Sequence, residues 1–118
     1  MKWKKAPAEL VDFLARRTAT LNSDFRKMFG YPAYFVNGNM FAGIFGDKLF
    51  IRLPEFDIKK LTEMNLGVKP FEPVPGRLMK GYVVIPQSFY SNEKLFDEWL
   101  NKSFKYASSL PPKKPKAR

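Results

Sequence analysis

The 118-residue sequence contains no cysteine and no histidine. Their absence excludes thiol nucleophiles, acid–base catalysis by imidazole, zinc sites built from cysteine and histidine, and cysteine-ligated iron–sulfur clusters. The lack of cysteine also leaves the redox compartment undetermined. No apolar run is long enough for a signal-peptide core or a transmembrane helix. We therefore expect a soluble, cytoplasmic protein with no membrane partner.

Sequence motifs for catalysis are equally scarce. Residues 76–81 (GRLMKG) have the glycine spacing of a phosphate-binding loop, but Tyr82 and Val83 stand where lysine and serine or threonine are required. The carboxylates fall in different predicted elements, and no serine lies in a nucleophile elbow. We therefore expect a protein that is not an enzyme and that has no catalytic residues, no cofactor and no metal site.

The formal net charge of +10 is concentrated at the two ends of the chain. Seven of the 21 basic residues lie at the termini, and the other fourteen face eleven carboxylates, so residues 6–112 carry about +3. From Leu110 onward the sequence LPPKKPKAR is rich in proline and lysine and poor in apolar residues. This composition predicts a domain over residues 1–110 and a flexible basic tail over residues 111–118. We favour a solvated tail over a binding site, because charge alone supports only non-specific attraction to phosphates.

Residues 26–53 (RKMFGYPAYFVNGNMFAGIFGDKLFIRL) predict three consecutive antiparallel strands joined by two tight turns. Residues 37–38 (Asn-Gly) and 46–47 (Gly-Asp) supply the positive φ angles that two-residue hairpin loops require. Gly43 lies in the middle of the second predicted strand. It indicates a bulge or a close approach by another part of the backbone.

Apolar residues occupy both faces of these predicted strands. Strict alternation places Met40 with Ala42 on one face of the second strand, and Phe41 with Gly43 on the other. A sheet with one face fully in water would show a cleaner polar alternation. We therefore expect helices on one face, and a partner or partial cover on the other.

Three amphipathic helices and two further strands complete the predicted order. The fourth strand contains Pro70 and Pro73, which predicts an irregular edge strand. The last helix, with Ser91 as its N-cap, has a wide apolar face and should lie across the sheet. The result is an α+β domain with a single, mostly antiparallel sheet in the order α-β(3)-α-β(2)-α. The predicted bounds are 7–21, 55–65 and 92–107 for the helices, and 68–74 and 81–85 for the strands.

Cations interleaved with aromatic residues provide the main case for nucleic-acid contact, because cations can bind phosphates while aromatic rings stack on bases. Packing of the aromatics and solvation of the cations is the simpler interpretation, and no known nucleic-acid-binding signature is visible. The candidate contacts are Arg26, Lys27, Arg52, Arg77 and Lys80 in the body, and Lys113, Lys114 and Lys116 in the tail.

Several short stretches together closely resemble the TfoX N-terminal domain family, which is related to the Sxy competence regulators. The resemblance covers about residues 25–110, and no catalytic residue set carries over with it. It implies an α-β(3)-α-β(2)-α fold of the secretion-chaperone-like kind and a role in regulating competence for DNA uptake. Full competence regulators carry a second, helical domain where this sequence has the basic tail. The stretches are 28–30 (MFG), 34–35 (YF), 37–42 (NGNMFA), 46–52 (GDKLFIR), 69–73 (KPFEP), 79–82 (MKGY) and Pro86.

These observations favour a small, non-enzymatic regulatory or protein-interaction module. The apolar character of both sheet faces predicts a protein partner or a homodimer through the sheet. The alternative is a nucleic-acid-associated protein that binds DNA or RNA non-specifically through its basic termini and strand cations. A pocket lined by Arg52, Tyr82 and Asp47 would instead indicate binding of a small ligand.

Overall fold

The computed structural model describes residues 5–112 and places three helices on one antiparallel sheet of six strands. The spatial order of the strands is β1-β2-β3-β4-β6-β5. The structure confirms the α+β class and the single sheet. The elements are α1 (Ala8–Thr18), β1 (Asp24–Met28), β2 (Tyr31–Val36), β3 (Asn39–Phe45), β4 (Lys48–Arg52), α2 (Glu55–Glu63), β5 (Lys69–Pro70), β6 (Tyr82–Ile85) and α3 (Glu93–Ser109), with a short 3-10 helix at Gln87–Phe89 before α3.

Four strands precede α2, whereas the sequence predicted three. The additional strand is β1, which pairs with β2 through a tight turn at Phe29 and Gly30. Both turn residues have positive φ angles, 55° at Phe29 and 82° at Gly30. The usual sequence signal for such a turn is Asn-Gly. This turn has Phe-Gly instead, and phenylalanine rarely adopts a positive φ angle, so the sequence did not predict a turn here. Most of β1 is exposed, so it also lacks an alternating apolar pattern.

The helix-covered face of the sheet holds the larger core. Side chains from all three helices meet the inward-facing residues of β2, β3, β4 and β6 there. The apolar face of α3 lies against the sheet as predicted, with Phe96 and Trp99 buried in the core and Phe104 packed against it. The largest fully buried members are Leu14, Phe41, Ile44, Leu49, Ile51, Leu53, Leu61, Ile85, Phe89 and Phe96.

A β-bulge interrupts the pairing of β2 with β3. Tyr34 pairs with Ala42 and Phe35 pairs with Met40, so Phe41 has no partner in the register. Phe41 and Ala42 consequently both belong to the helix-side core, while Met40 belongs to the opposite face. Strict alternation placed Met40 with Ala42 and was wrong at this point, because a bulge inserts one residue and shifts the alternation.

Phe41, the extra residue in β3, is hydrogen-bonded directly to α3. Ser103 Oγ donates a hydrogen bond to the carbonyl oxygen of Phe41 at 2.7 Å and accepts one from the backbone N–H of Arg52 at 3.2 Å. A carbonyl left over by the bulge therefore has a buried partner. The N-cap of α3 is Asn92, which accepts from the N–H of Leu95 at 3.2 Å, and the assignment of this role to Ser91 was wrong.

The segment 71–80 partly covers the other face of the sheet. Phe71 stacks on Phe50 of β4, with ring centroids 4.3 Å apart and planes 12° apart. Phe71 also donates its backbone N–H to Tyr82 O at 3.0 Å. Both rings pack with Ala33 and Met40 in a second buried cluster. The partial cover expected on this face is therefore supplied by the chain itself.

Gly43 leaves the space that the Phe50 ring occupies. A Cβ atom built at Gly43 would lie 2.7 Å from Phe50 Cζ and 3.1 Å from the carbonyl oxygen of Pro32. The first distance is too short for a Cβ atom and the second is tight, so the close approach of another part of the backbone expected at this glycine is confirmed at Pro32. β5 is also the irregular edge strand that the prolines predicted, although it is only two residues long.

Candidate interaction surface

β1 forms one edge of the sheet, and two large aromatic side chains project from it and from the turn that follows. Phe25 is 54% exposed and Phe29 is 70% exposed. The Phe25 ring meets Tyr34 edge to face at 5.4 Å, and the Phe29 ring meets Phe45 at 6.5 Å. Each ring is therefore supported on one side and exposed on another. We call Phe25, Lys27 and Phe29, with the outer backbone of β1, the edge surface.

The backbone of β1 has alternate residues available for pairing with another strand. Lys27 lies opposite Pro32 of β2, and proline has no N–H to donate. The pair is therefore of the type in which the two residues exchange no backbone hydrogen bonds. Hydrogen-bonded and non-hydrogen-bonded pairs alternate along two antiparallel strands, so the pair of Phe25 with Tyr34 is also not hydrogen-bonded. The N–H and C=O groups of Phe25 and Lys27 therefore point away from the sheet. Within residues 5–112 no strand pairs with this side of β1, and such an edge is a template for an added strand.

An open groove of about 630 Å³ adjoins the edge surface on the helix side of the sheet. It lies between the start of α1 and strands β1 and β2. The lining is mostly apolar, and the cationic side chains of Lys5 and Lys27 lie at its margin. The groove can therefore accept an apolar side chain carried by an added strand. Its lining residues include Ala6, Ala8, Val11, Phe25, Phe29, Gly30, Tyr31 and Pro32.

The structure separates the five candidate cations of the body. Arg26 stacks over Phe35 at 5.1 Å on the outer face, while Lys27 borders the groove on the helix side. Arg52 lies three strand positions from β1, which corresponds to about 14 Å. Arg77 and Lys80 are exposed in the segment that covers the outer face. Lys113, Lys114 and Lys116 lie outside the described residues.

Arg52 is held between two tyrosines. Its guanidinium carbon lies 5.6 Å from the centre of the Tyr82 ring and 5.8 Å from that of Tyr106. Tyr82 donates its hydroxyl to the carbonyl oxygen of Met40 at 3.1 Å, and burial raises the pKa of Tyr82 although Arg52 opposes the change. Asp47 lies at the opposite end of β4 and is not part of this group. Arg52, Tyr82 and Asp47 therefore do not line a common pocket.

A second open groove, of about 610 Å³, lies between α1, the turn at Asp47 and the segment 85–90. Its polar lining includes Glu9, Arg16, Asp47 and the hydroxyl of Tyr90, which donates to Ile85 O at 3.3 Å. Burial, with a smaller contribution from the charge of Asp47, raises the pKa of Tyr90 to about 12.

The raised pKa of Tyr90 predicts a loss of stability at high pH. The folded state holds the phenol proton more tightly than the unfolded chain, where the ordinary value is 10.0. The stabilisation is therefore complete below pH 10 and is lost as the pH rises through about 12. An ultraviolet titration should show phenols that ionise late, because the pKa of Tyr82 is raised as well, and Tyr90→Phe should remove the step near pH 12. A titration unchanged by the substitution would contradict the assignment.

Residues 5–112 give little support for a metal site, a membrane-spanning helix or a catalytic serine. No group of three or more aspartate and glutamate side chains there is placed to hold a metal ion. None of the helices in this part of the chain is long and apolar enough to cross a membrane. Ser91 and Lys94 have the Ser-x-x-Lys spacing of some serine hydrolases, but both are exposed and the Ser91 hydroxyl donates to Ser88 O at 3.1 Å.

Comparison with known proteins gives one clear relationship. The sequence model described as the TfoX N-terminal domain matches residues 19–107. This range contains all six strands, α2 and most of α3. No curated protein matches the sequence. The chain belongs to the TfoX N-terminal domain family.

Proposed function

We propose that the protein is a non-enzymatic, cytoplasmic regulatory module that acts by binding another protein chain through the edge surface. The observation that carries this proposal is the exposure of Phe25 and Phe29 at an open sheet edge. Exposed apolar side chains beside unpaired strand backbone are typical of sites that accept another chain. Membership of the TfoX N-terminal domain family supports a TfoX-like module.

The mode of binding follows from the geometry of β1. The outward N–H and C=O groups of Phe25 and Lys27 can pair with an extended segment, which would become a seventh strand. Main-chain hydrogen bonds provide affinity in this mode, and side-chain contacts provide specificity. Phe25 and the adjoining groove supply the apolar contacts. The contact is at the edge of the sheet because the segment 71–80 and the helices cover much of its two faces.

Removing the two exposed rings should abolish binding. We expect the variant carrying Phe25→Ser and Phe29→Ser to lose the proteins that the full wild-type chain retains in quantitative affinity capture. Both rings are more than half exposed, so their loss should affect binding more than folding. Each retained protein is then purified and its affinity for wild type and variant is measured.

The matched control is Phe56→Ser. Phe56 is 76% exposed, but it lies on α2 and outside the edge surface. It should therefore retain the same proteins with unchanged affinity. Equal losses in the control and the edge variant, or no loss in either, would contradict the proposal.

Nucleic-acid binding is the second candidate, because Arg26 and Lys27 lie between the exposed rings of Phe25 in β1 and Phe29 in the turn that follows. Neighbouring cations and stacking rings suit a single-stranded nucleic acid. If this candidate is correct, Arg26→Ala with Lys27→Ala should weaken binding to a single-stranded oligonucleotide at low salt. Removal of residues 111–118 should weaken it further if the tail contributes. Weak binding by the wild type at low salt, unchanged in both variants, would exclude this candidate.

A further inference from the structure

We propose that the chain which pairs with β1 is a second copy of this protein, related by a two-fold axis that passes beside Phe25. This inference rests on the proposed function and identifies its partner. The two β1 strands would run antiparallel, and two six-stranded sheets would become one continuous sheet. Symmetry, backbone geometry and charge together favour one register for this pair of strands.

Symmetry restricts the registers of such a pair. Residues directly opposite each other in an antiparallel pair lie on the same face of the sheet. A two-fold axis between identical strands must therefore pass beside one residue, which then faces its own copy. Within β1 the central residue can be Asp24, Phe25, Arg26, Lys27 or Met28.

Charge separates these registers. A centre at Asp24, Arg26 or Lys27 places two like charges directly opposite each other, which is destabilising. A centre at Met28 places Lys27 opposite the residue at position 29 and leaves Asp24 outside the paired strands. A centre at Phe25 places Asp24 opposite Arg26 of the second copy, and symmetry repeats that pair. Only this centre forms two opposite-charge pairs and opposes no like charges.

Backbone hydrogen bonding agrees with this choice. The N–H and C=O groups of Phe25 point away from β2, because Phe25 is two residues from Lys27, which lies opposite Pro32. Two copies centred on Phe25 can therefore exchange a pair of backbone hydrogen bonds at the axis. Lys27 would lie opposite Ser23 of the other copy and could donate its N–H to the Ser23 carbonyl oxygen, because the N–H of Ser23 already donates to Leu21 O at 2.9 Å. These bonds use outward-pointing groups of β1 and leave its pairing with β2 undisturbed.

The side chains also fit. Phe25 lies on the helix side, opposite Tyr34, and borders the 630 Å³ groove. The two Phe25 rings would meet across the axis, and the grooves provide space on either side. Cross-strand aromatic pairs stabilise antiparallel sheets. Phe29 lies beyond the paired residues, so a dimer depends on Phe25 more than on Phe29.

Charge reversal tests the register in the full chain. Asp24→Arg and Arg26→Asp should each weaken self-association roughly tenfold, because each variant creates two like-charge pairs at the axis. The double variant exchanges the two charges and should restore association to near the wild-type value. Sedimentation equilibrium over a range of concentrations measures all four proteins. Additive losses in the double variant would overturn the register.

Cysteine substitution tests the register independently, because the sequence has no cysteine to interfere. Opposed residues in a hydrogen-bonded pair have Cα atoms about 5.5 Å apart, which is within reach of a disulfide. Phe25→Cys should therefore form a disulfide-linked dimer under mild oxidation of concentrated protein, because the backbone pairing and the two Asp24–Arg26 pairs remain when the Phe25 rings are lost. In this register the two copies of residue 26 lie about 8 Å apart and those of residue 27 about 14 Å apart. Arg26→Cys and Lys27→Cys should remain largely unlinked.

The outcomes separate this inference from the proposed function. Efficient linking by Phe25→Cys together with rescue by the double charge reversal supports the dimer. Preferential linking by Arg26→Cys or Lys27→Cys overturns it. A wild-type chain that stays monomeric at every concentration also overturns it. If that monomer still captures a different protein, and loses it when Phe25 and Phe29 are replaced, the proposed function stands without the dimer.

Discussion

Truncation of Phe71 to alanine should lower the free energy of unfolding by about 3–5 kcal/mol. Phe71 is only 1% exposed and stacks on Phe50, and its ring also meets Phe45 at 6.0 Å. The substitution removes a large buried ring and leaves a cavity between the sheet and the segment 71–80. It should also loosen the part of the chain that covers the outer face. Urea denaturation provides the measurement.

A matched control distinguishes the loss of a buried, packed ring from the loss of an exposed ring. Phe56→Ala truncates an equally large side chain that is mostly exposed, so it should change stability by no more than about 0.5 kcal/mol. Phe71→Ala should in addition bind a hydrophobic dye that the wild type does not bind, because the outer cluster becomes accessible. A loss below about 1 kcal/mol without dye binding would show that the segment 71–80 is not the cover of this face.

Replacement of Ser103 by alanine should cost about 2–4 kcal/mol, although it removes a single oxygen atom. The hydroxyl is fully buried and serves two backbone groups in different strands, the carbonyl of Phe41 and the N–H of Arg52. The bulge leaves Phe41 without a partner strand residue, so its buried carbonyl has no replacement nearby. An unsatisfied buried polar group costs about 1–3 kcal/mol.

Ser109 supplies the control for this substitution. Its hydroxyl donates only to Tyr106 O at 2.7 Å within the same helix, and the side chain is exposed. Ser109→Ala should therefore be close to neutral in the same denaturation experiment. If both serine variants had equal stability, the proposed link between α3 and the bulge would be wrong.

Local sequence signals predicted most of this fold. The turns at residues 37–38 and 46–47 carry positive φ angles at Asn37, Gly38 and Gly46, as the hairpin residues indicated. The helices lie close to their predicted bounds, and the observed sheet agrees with the predicted class. These features succeed because a tight turn and an amphipathic helix are each specified by a few neighbouring residues.

The errors arise where tertiary contacts override local pattern. β1 is an exposed edge strand that is held by its pairing with β2, so its sequence carries no apolar alternation. The bulge at Phe41 depends on the Ser103 hydroxyl, which lies 62 residues away in the sequence. Neither relationship is encoded in a short window.

The candidate interaction surface also combines features that the local sequence indicates with features that only the tertiary structure determines. The cations could be identified from the sequence, but their positions could not, and the fold distributes Arg26, Arg52 and Arg77 over separate parts of the sheet and its cover. Phe29 was expected to pack like the other aromatic residues near the cations, and no sequence signal singled out Phe25. Their exposure depends on where the sheet ends, and the sequence marks that edge only through the unusual turn at Phe29.

Residue-resolved hydrogen exchange along β1 tests most directly whether its edge is the contact surface. In dilute protein the amides of Phe25 and Lys27 should exchange rapidly, while that of Arg26, which faces β2, is protected. When the protein is concentrated, or when a captured protein is added, Phe25 and Lys27 should become protected. If association instead protects α2 or the segment 71–80 and leaves these two amides in rapid exchange, the edge of β1 is not the contact surface.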